Sequence, residues 1–579
     1  MVNGIPIFRV ELAEGLIDAD NNAERIFGYC IEANKGPVNE PISVASNAEA
    51  KRIFGINFAP HFYQKGSGLI LCRVGFPEMV APSITYTAKV ADSGANASKT
   101  IDVIKITATS PGNVKHQVAI VKSPTSSKAY NLTVTIDGVG SKKFQNLSSL
   151  KNVVKKINSK FADYIVAELL FDEDQALALE ATQSLLKSTT TGEYAVVATS
   201  EVSENDNVIS EGPFNAARLQ QNVTNGVVQT ELTGGSLGKL RKTNGEVSTT
   251  AIPATGVQDA TGTGTGDNDP NIDTTLQYAY KEAFEVMKDE EILGLAILSN
   301  NEVVQNALVE HINEMIDPET YQYRFGVMGF GQYPGLNSKG VQNTTGTLGL
   351  ETLTAVTAHI DNPFVIMIGQ GVVFEEEGTK YNLLPHEAVQ LYTGLRSALD
   401  YGQAIYGGNS RKVLTGVRDT LPLTTDGAII TRQDVETVNE AGLCTFKKEY
   451  KQVTFLEGVT TAQDNPVLSH ESVMSIVNHV LKRLVKVAKP FQGENVTEDL
   501  KASLINALST ELQNIVDTDN TLVALPDYSI PPYAVDVQAT VMAGFNEAGE
   551  YIRDTHYLVT VKIVPVGALR SITLSVVVI

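Results

Sequence analysis

The spacing of apolar and polar residues divides the chain into stretches of different texture. Between 26 and 74, a strand over Phe27–Ile31, a turn at Gly36 and Pro37, a helix near 47–54 and a strand over 69–74 follow one another, the alternation of an α/β layer. From about 88 to 200 the period drops to two, in strands near 102–109, 117–123 and 131–138 separated by Gly and Pro, which predicts an inserted β-rich domain. Periodicity fades from 234 to 273, where Thr, Gly and Asp dominate and a long surface loop or linker is expected. Short, nearly all-apolar strands then alternate with helices: 293–298, an amphipathic run over 303–316 behind Ser299 as its cap, 324–330, a helix near 350–360, 364–369, and a helix near 386–399. Such strands belong to a parallel sheet covered on both faces.

The last 140 residues predict two helices and a β-rich end. In the second helix Leu500, Leu504, Leu508, Leu512 and Ile515 recur every three or four residues behind Thr497, Glu498 and Asp499, a capped and dipole-compatible start. Strands follow over 535–541, 557–564 and 571–579. The two ends stand apart from any core. Residues 4–12 are strand-like but lead into a polar run at 18–24, so Ile5, Ile7, Phe8 and Val10 read as an extended arm. The segment SITLSVVVI, 571–579, puts Ile572, Leu574, Val576 and Val578 on one face. It is either a strand of its own domain or an arm that adds to a neighbouring subunit's sheet. With Val577 and Ile579 on the other face, burying five of the segment's aliphatic side chains contributes roughly 7–15 kcal/mol before ordering costs are subtracted.

Composition narrows the function class. At 579 residues the chain is long enough for roughly three or four domains. No apolar run reaches the roughly 18 residues a spanning helix needs, and no secretory signal is expected at the amino terminus. A net charge of -21 disfavours direct binding to nucleic acid or insertion at an anionic membrane. Cys30, Cys72 and Cys444 have no paired spacing and read as buried thiols rather than a disulfide framework or zinc site.

No catalytic motif emerges. The glycines of 326–335 miss the dinucleotide spacing, and GTGTGDND at 262–269 lacks the Lys-Ser/Thr pair of a phosphate loop. His386 and Glu387 open a helix, but Gln390 stands where a zinc helix needs its second histidine. Glu375, Glu376 and Glu377 read as a solvated turn. No nucleophile elbow is present, so no enzyme activity, cofactor or metal is expected.

Ordered stretches near both ends of the chain carry a resemblance. GPVNEPISVASNAEAKRIFG with the following LILCRV resembles the amino-terminal part of contractile phage tail sheath proteins. VNEAGLCTF, KPFQGENVTEDLKASLINALSTEL and YLVTVKIVPVGALRSITLSVVVI are similar to the carboxyl-terminal sheath domain in order and spacing. Arg570 departs from the family, whose tails often carry an acidic residue there. The resemblance implies a multi-domain α/β and α+β protein with a non-catalytic, subtilisin-like middle domain. It divides the chain into an arm at 1–20, a core part at 21–87, a β-rich insertion at 88–200, a variable stretch at 201–273, the α/β domain at 274–430, the carboxyl-terminal domain at 431–565 and an arm strand at 566–579. It also implies a virion protein, assembled in the host cytoplasm, that polymerises helically in hexameric rings. Its partners would be other copies of itself, the tail tube protein, and baseplate and tail terminator proteins. Within the family a carboxyl-terminal helix faces the tube. The matching helix, about 471–489, gathers Lys482, Arg483, Lys486 and Lys489 in its second half. That cluster also suits plain complementarity to the helix dipole.

Overall fold

The computed structural model describes residues 7–566 apart from 12–24, 91–98, 261–269, 331–356, 423–431, 492–496, 525–529, 546–550 and a few shorter stretches. The helix expected near 350–360 lies almost wholly outside the described residues, as do the run at 262–269, Ile5, and the final strand with Ile572, Leu574, Val576 and Val578.

A seven-stranded sheet forms the centre. Its order is Leu443–Cys444, Val365–Ile368, Phe325–Gly329, Gly294–Ile297, Phe27–Ile31, Leu69–Arg73 and Pro41–Val44. The first six run parallel and the last antiparallel. Every residue of Phe27–Ile31, Leu69–Arg73 and Phe325–Gly329 is buried, which is why these strands read as continuous apolar runs instead of alternating ones. Helices cover both faces. A Cβ on Gly326 would meet Ile312 and Leu308 of the helix Glu302–Met315, whereas one on Gly329, pointing to the opposite face, would meet the backbone of Pro385 in the helix Pro385–Ala398. The sheet joins strands separated by more than 200 residues, so the amino-terminal unit and the middle α/β stretch share one layer.

The chain between these two groups leaves and returns through an antiparallel pair. Val80 N–H donates to the Ser236 carbonyl at 3.1 Å and Ser236 N–H to the Val80 carbonyl at 2.9 Å, with Ser83 and Thr233 paired likewise. What lies between is β-rich, as expected, and has its own apolar core, including Val118, Leu132, Val134, Leu150, Val153 and Ile157. Arg73, fully buried, ties this insertion to the sheet. Its Nη1 donates to the carbonyls of Gly36 at 2.8 Å and Pro111 at 2.7 Å.

Three local expectations are corrected. The stretch from 234 to 273 is not simply a loop. Lys239–Lys242 and Val247–Ala251 form a hairpin around Asn244 and Gly245, and Leu240, Ile252 and Val257 join the main core. Asn-Gly between short strands is the hairpin signal that the low-complexity reading passed over. Asn301, not Ser299, caps the helix Glu302–Met315, its Oδ1 accepting from Val303 and Val304. Glu375 and Glu376 end the strand Val372–Glu376 instead of forming a solvated turn, and Glu376 accepts from Lys51, Asn57 and Tyr381.

Gly394 shows how closely the layers approach. It sits inside the helix Pro385–Ala398, where alanine would ordinarily gain about 1 kcal/mol. Here the added Cβ would fall 2.3 Å from the His61 carbonyl oxygen. Backbone cannot swing aside as a side chain can, so the overlap outweighs propensity. Gly394→Ala is expected to cost about 2 kcal/mol or more, read as a lower denaturation midpoint; an unchanged or raised midpoint would refute this packing.

Candidate assembly surfaces

The carboxyl-terminal part of the chain brings the two candidate surfaces together. The helices Glu471–Ala488 and Glu498–Asp519 pack side by side, the second burying Leu504, Leu508, Leu512 and Ile515. Thr497 Oγ1 accepts from Leu500 N–H at 3.1 Å, the cap that the sequence indicates. Against this helix rests a hairpin of thirteen-residue strands, Tyr533–Phe545 and Tyr551–Ile563, in register from Tyr533 opposite Ile563 to Phe545 opposite Tyr551. Its base is anchored by the buried Val537, Val559, Val561 and Ile563.

The strand Ile7–Glu11, which contains Ile7, Phe8 and Val10, pairs antiparallel with the same hairpin of its own chain, Ile7 opposite Lys562 and Glu11 opposite Leu558. The sheet order is Ile7–Glu11, Tyr551–Ile563, Tyr533–Phe545. Among the described residues, the outer edge of Tyr533–Phe545 therefore has no further strand beside it. An open row of backbone donors and acceptors of this kind is a template for another chain. Sequence reasoning did not identify this docking strand, because pairing across more than 500 residues leaves no local signal.

The cations of the helix Glu471–Ala488 are placed differently from one another. Lys482 Nζ donates to the Ile292 carbonyl at 2.6 Å. Arg483 Nε donates to Glu511, and its Nη1 to Asp519 at 3.2 Å. Lys486 pairs with Glu291 at 2.5 Å. Lys489 begins a short 3-10 turn, Lys489–Phe491. Three of the four thus tie this helix to its neighbour and to the segment preceding the central strand Gly294–Ile297. Lys482, Lys486 and Lys489, but not Arg483, line a groove of about 290 Å³ together with Ile292, Tyr323 and Val485. Arg324 lines it too, its Nη1 donating to the Met287 carbonyl at 2.8 Å, and burial lowers its pKa to about 10.

The groups with chemistry in isolation are locked into the core. His61 shares a hydrogen bond with Thr393 Oγ1 at 3.0 Å and another with the Ser67 carbonyl at 2.8 Å, and Thr393 in turn bonds Tyr29 at 2.6 Å. Glu387 accepts from Leu384 N–H at 3.0 Å, so it caps its helix. Cys30 and Cys72 are register partners on adjacent parallel strands, a proximity that their sequence separation hides. Burial pushes the Cys30 thiol up, and contact with Cys30 pulls the Cys72 thiol down. All three cysteines are free and buried, as read from the sequence. Among the described residues no group of three His, Cys, Asp or Glu could hold a metal ion, and no helix is long and apolar enough to cross a membrane.

No protein-family model matches the chain, and no curated relative does. Solved structures do. A sheath tail protein from Desulfitobacterium hafniense is similar over 94% of this chain and 99% of its own, at 11% identity and a TM-score of 0.53. A sheath tail protein from Listeria innocua aligns over 93% and 96%, at 12% identity and a TM-score of 0.49. A sheath complex of an extracellular contractile injection system in its contracted state covers 50% of this chain and 71% of its own, at 13% identity and a TM-score of 0.34. The mixed α/β fold is thus similar to that of a sheath tail protein.

Proposed function

We propose that this chain is the subunit of a contractile tail sheath, which polymerises helically around an inner tube and shortens by repacking to drive that tube through a host envelope during genome delivery. The observation that carries the reading is the sheath-tail fold over 94% of the chain. The open-edged sheet at the terminal hairpin supports it, because an edge on a rigid base suits strand exchange between subunits. In this reading the subunits move as nearly rigid bodies while strand links keep the lattice connected. Ile5, Ile7, Phe8 and Val10 at one end and Ile572, Leu574, Val576 and Val578 at the other are the linking arms. The central sheet with its helices is the subtilisin-like domain of the family, without its catalysis. The seven-part division of the chain and a place in the virion belong to the same proposal, as do the tube, baseplate and terminator proteins as partners. A sheath from a phage-derived injection system or bacteriocin would use the same parts.

In the same reading Lys482, Arg483, Lys486 and Lys489 face the tube, and Lys482, Arg483 and Lys486 also brace their helix within the chain. The test of the function is electron microscopy of the purified chain beside a variant ending before Ser571. Tubes or ring stacks from the full chain, absent from a truncated chain with unchanged circular dichroism, are expected. Separate globular particles from both would remove the proposal.

A further inference from the structure

Charge is distributed unevenly along this chain. Residues 99–160 hold eleven lysines against two acidic residues, Asp102 and Asp137, a net of +9. The whole chain is -21, so the remainder carries -30. Much of this basic segment folds as one lobe. The strands Gln117–Lys122, Tyr130–Ile136 and Gly140–Leu147 form a sheet, with Gly140–Leu147 at its edge, and the helix Leu150–Lys160 packs on it through Leu150, Val153 and Ile157. Lys156 Nζ lies 4.9 Å from the centre of the Phe144 ring, which fastens the helix to the edge strand. Lys142, Lys143, Lys155 and Lys160 are exposed on these two elements. The contacts that seat the lobe on the core run instead through Asp137, which pairs with Lys35, through Pro111 on Arg73, and through Tyr164 beyond the helix on Arg52.

The opposite charge collects on the helix pair Ile272–Val286 and Glu302–Met315. Residues 272–317 hold ten acidic residues against Lys281 and Lys288, a net of -8. The two helices pack together over one face of the central sheet and turn Glu282, Glu285, Glu302 and Glu310 outward. Lys281 with Glu310, Lys288 with Glu285 and Glu314, and Arg241 with Glu282 cancel only part of that charge.

We propose that the lysine surface of one copy docks on the acidic helix pair of the next, a contact that rests on the assembly reading above and gives its subunits an order. The two patches differ, so the contact is head-to-tail, and it leaves one patch of each kind open at the ends of any chain of copies, as growth of a ring or helix requires. Opposed fields of this size speed encounter and select orientation, and they yield to salt, which suits a lattice that must repack. A polyanion would also be drawn to the lobe, but it would meet the -30 of the remainder. A second copy brings its own matching surface.

The test uses three full-length variants: Lys142→Glu, Lys143→Glu, Lys155→Glu and Lys160→Glu together; Glu282→Lys, Glu285→Lys, Glu302→Lys and Glu310→Lys together; and both sets in one chain. Circular dichroism checks that each folds, and Lys→Gln and Glu→Gln sets replace any that does not. Sedimentation velocity at about 50 mM and 300 mM salt reads assembly. Each single set is expected to raise the concentration for half-assembly about ten-fold or more, and the combined chain to return to within about three-fold of the parent. Higher salt should weaken the parent in the same direction. Single sets that assemble like the parent would overturn the contact and leave the sheath reading standing, as would a combined chain that stays defective. A parent that does not associate at either salt would remove both. If the lysine set assembles normally but loses retention on a heparin resin, the lobe serves a polyanion and this proposal falls.

Discussion

Between pH 6.5 and pH 4 the folded chain is expected to lose most of its stability, through histidines that it buries in neutral form. Burial lowers His61 to about 4, His386 to about 4 and His311 to about 3, with Arg324 and Lys288 pressing His311 down further. Neither His311 Nε2 nor His386 Nδ1 has a hydrogen-bond partner that would hold an extra proton in place. The sign follows from proton counting. Below pH 6.5 the unfolded chain binds protons at these sites and the folded chain does not, so acid favours unfolding until the folded values are reached. For a site that falls from 6.5 to about 4, the loss at pH 4 is about 3 kcal/mol. Three such sites outweigh much of the 5–15 kcal/mol that domains usually have. Glu32 acts the other way. Burial raises its carboxyl to about 7, so it weakens the fold as pH rises from 4.5 to 7, by less than a fully buried group would because it is partly exposed. Stability should therefore peak near neutrality and fall steeply below pH 6. Urea midpoints measured across that range check this, with His386→Leu expected to flatten the acid limb. A profile that is flat from pH 7 to 4 would contradict neutral burial.

The second large effect centres on an ion pair with no access to water. Arg396 and Glu471 have side-chain exposures of 1% and 0%. Arg396 Nη1 donates to Glu471 Oε1 at 3.3 Å and to the Gln403 carbonyl at 2.7 Å, while Tyr392 donates to the same carboxylate oxygen at 3.1 Å. Glu471 also opens the helix Glu471–Ala488, where a negative charge complements the dipole. Replacing one partner strands the other charge in the core. Glu471→Ala or Arg396→Met is expected to cost about 3–5 kcal/mol. Removing both leaves no orphan charge, so Arg396→Met with Glu471→Met should cost less than the two single changes summed, by about 2 kcal/mol or more. Denaturation of the four proteins measures this coupling, and strict additivity would show that the pair is not a unit. The pair joins the helix Pro385–Ala398, which covers the central sheet, to the helix Glu471–Ala488, whose neighbour Glu498–Asp519 carries the terminal hairpin. Its loss should therefore loosen the base of the candidate assembly surface before the insertion, whose core is separate.

Local pattern determined much of this protein on its own. All-apolar strands, amphipathic helices and period-two strands reflect side-chain burial that repeats every few residues, so the helix Glu498–Asp519 and the strands Phe27–Ile31 and Val365–Ile368 are legible where they stand. The ordered end motifs carried the resemblance to sheaths, and the fold agrees with it. What the sequence could not decide was which distant pieces meet. Tertiary structure alone placed Phe27–Ile31 beside Gly294–Ile297, set Cys30 opposite Cys72, and laid Ile7–Glu11 on the terminal hairpin. It also showed that Arg483 and Lys486 of the cationic cluster pair with Glu511, Asp519 and Glu291. Pairing over hundreds of residues depends on the packing of whole layers, and a charge acquires its role from the neighbours those layers bring within a few ångströms.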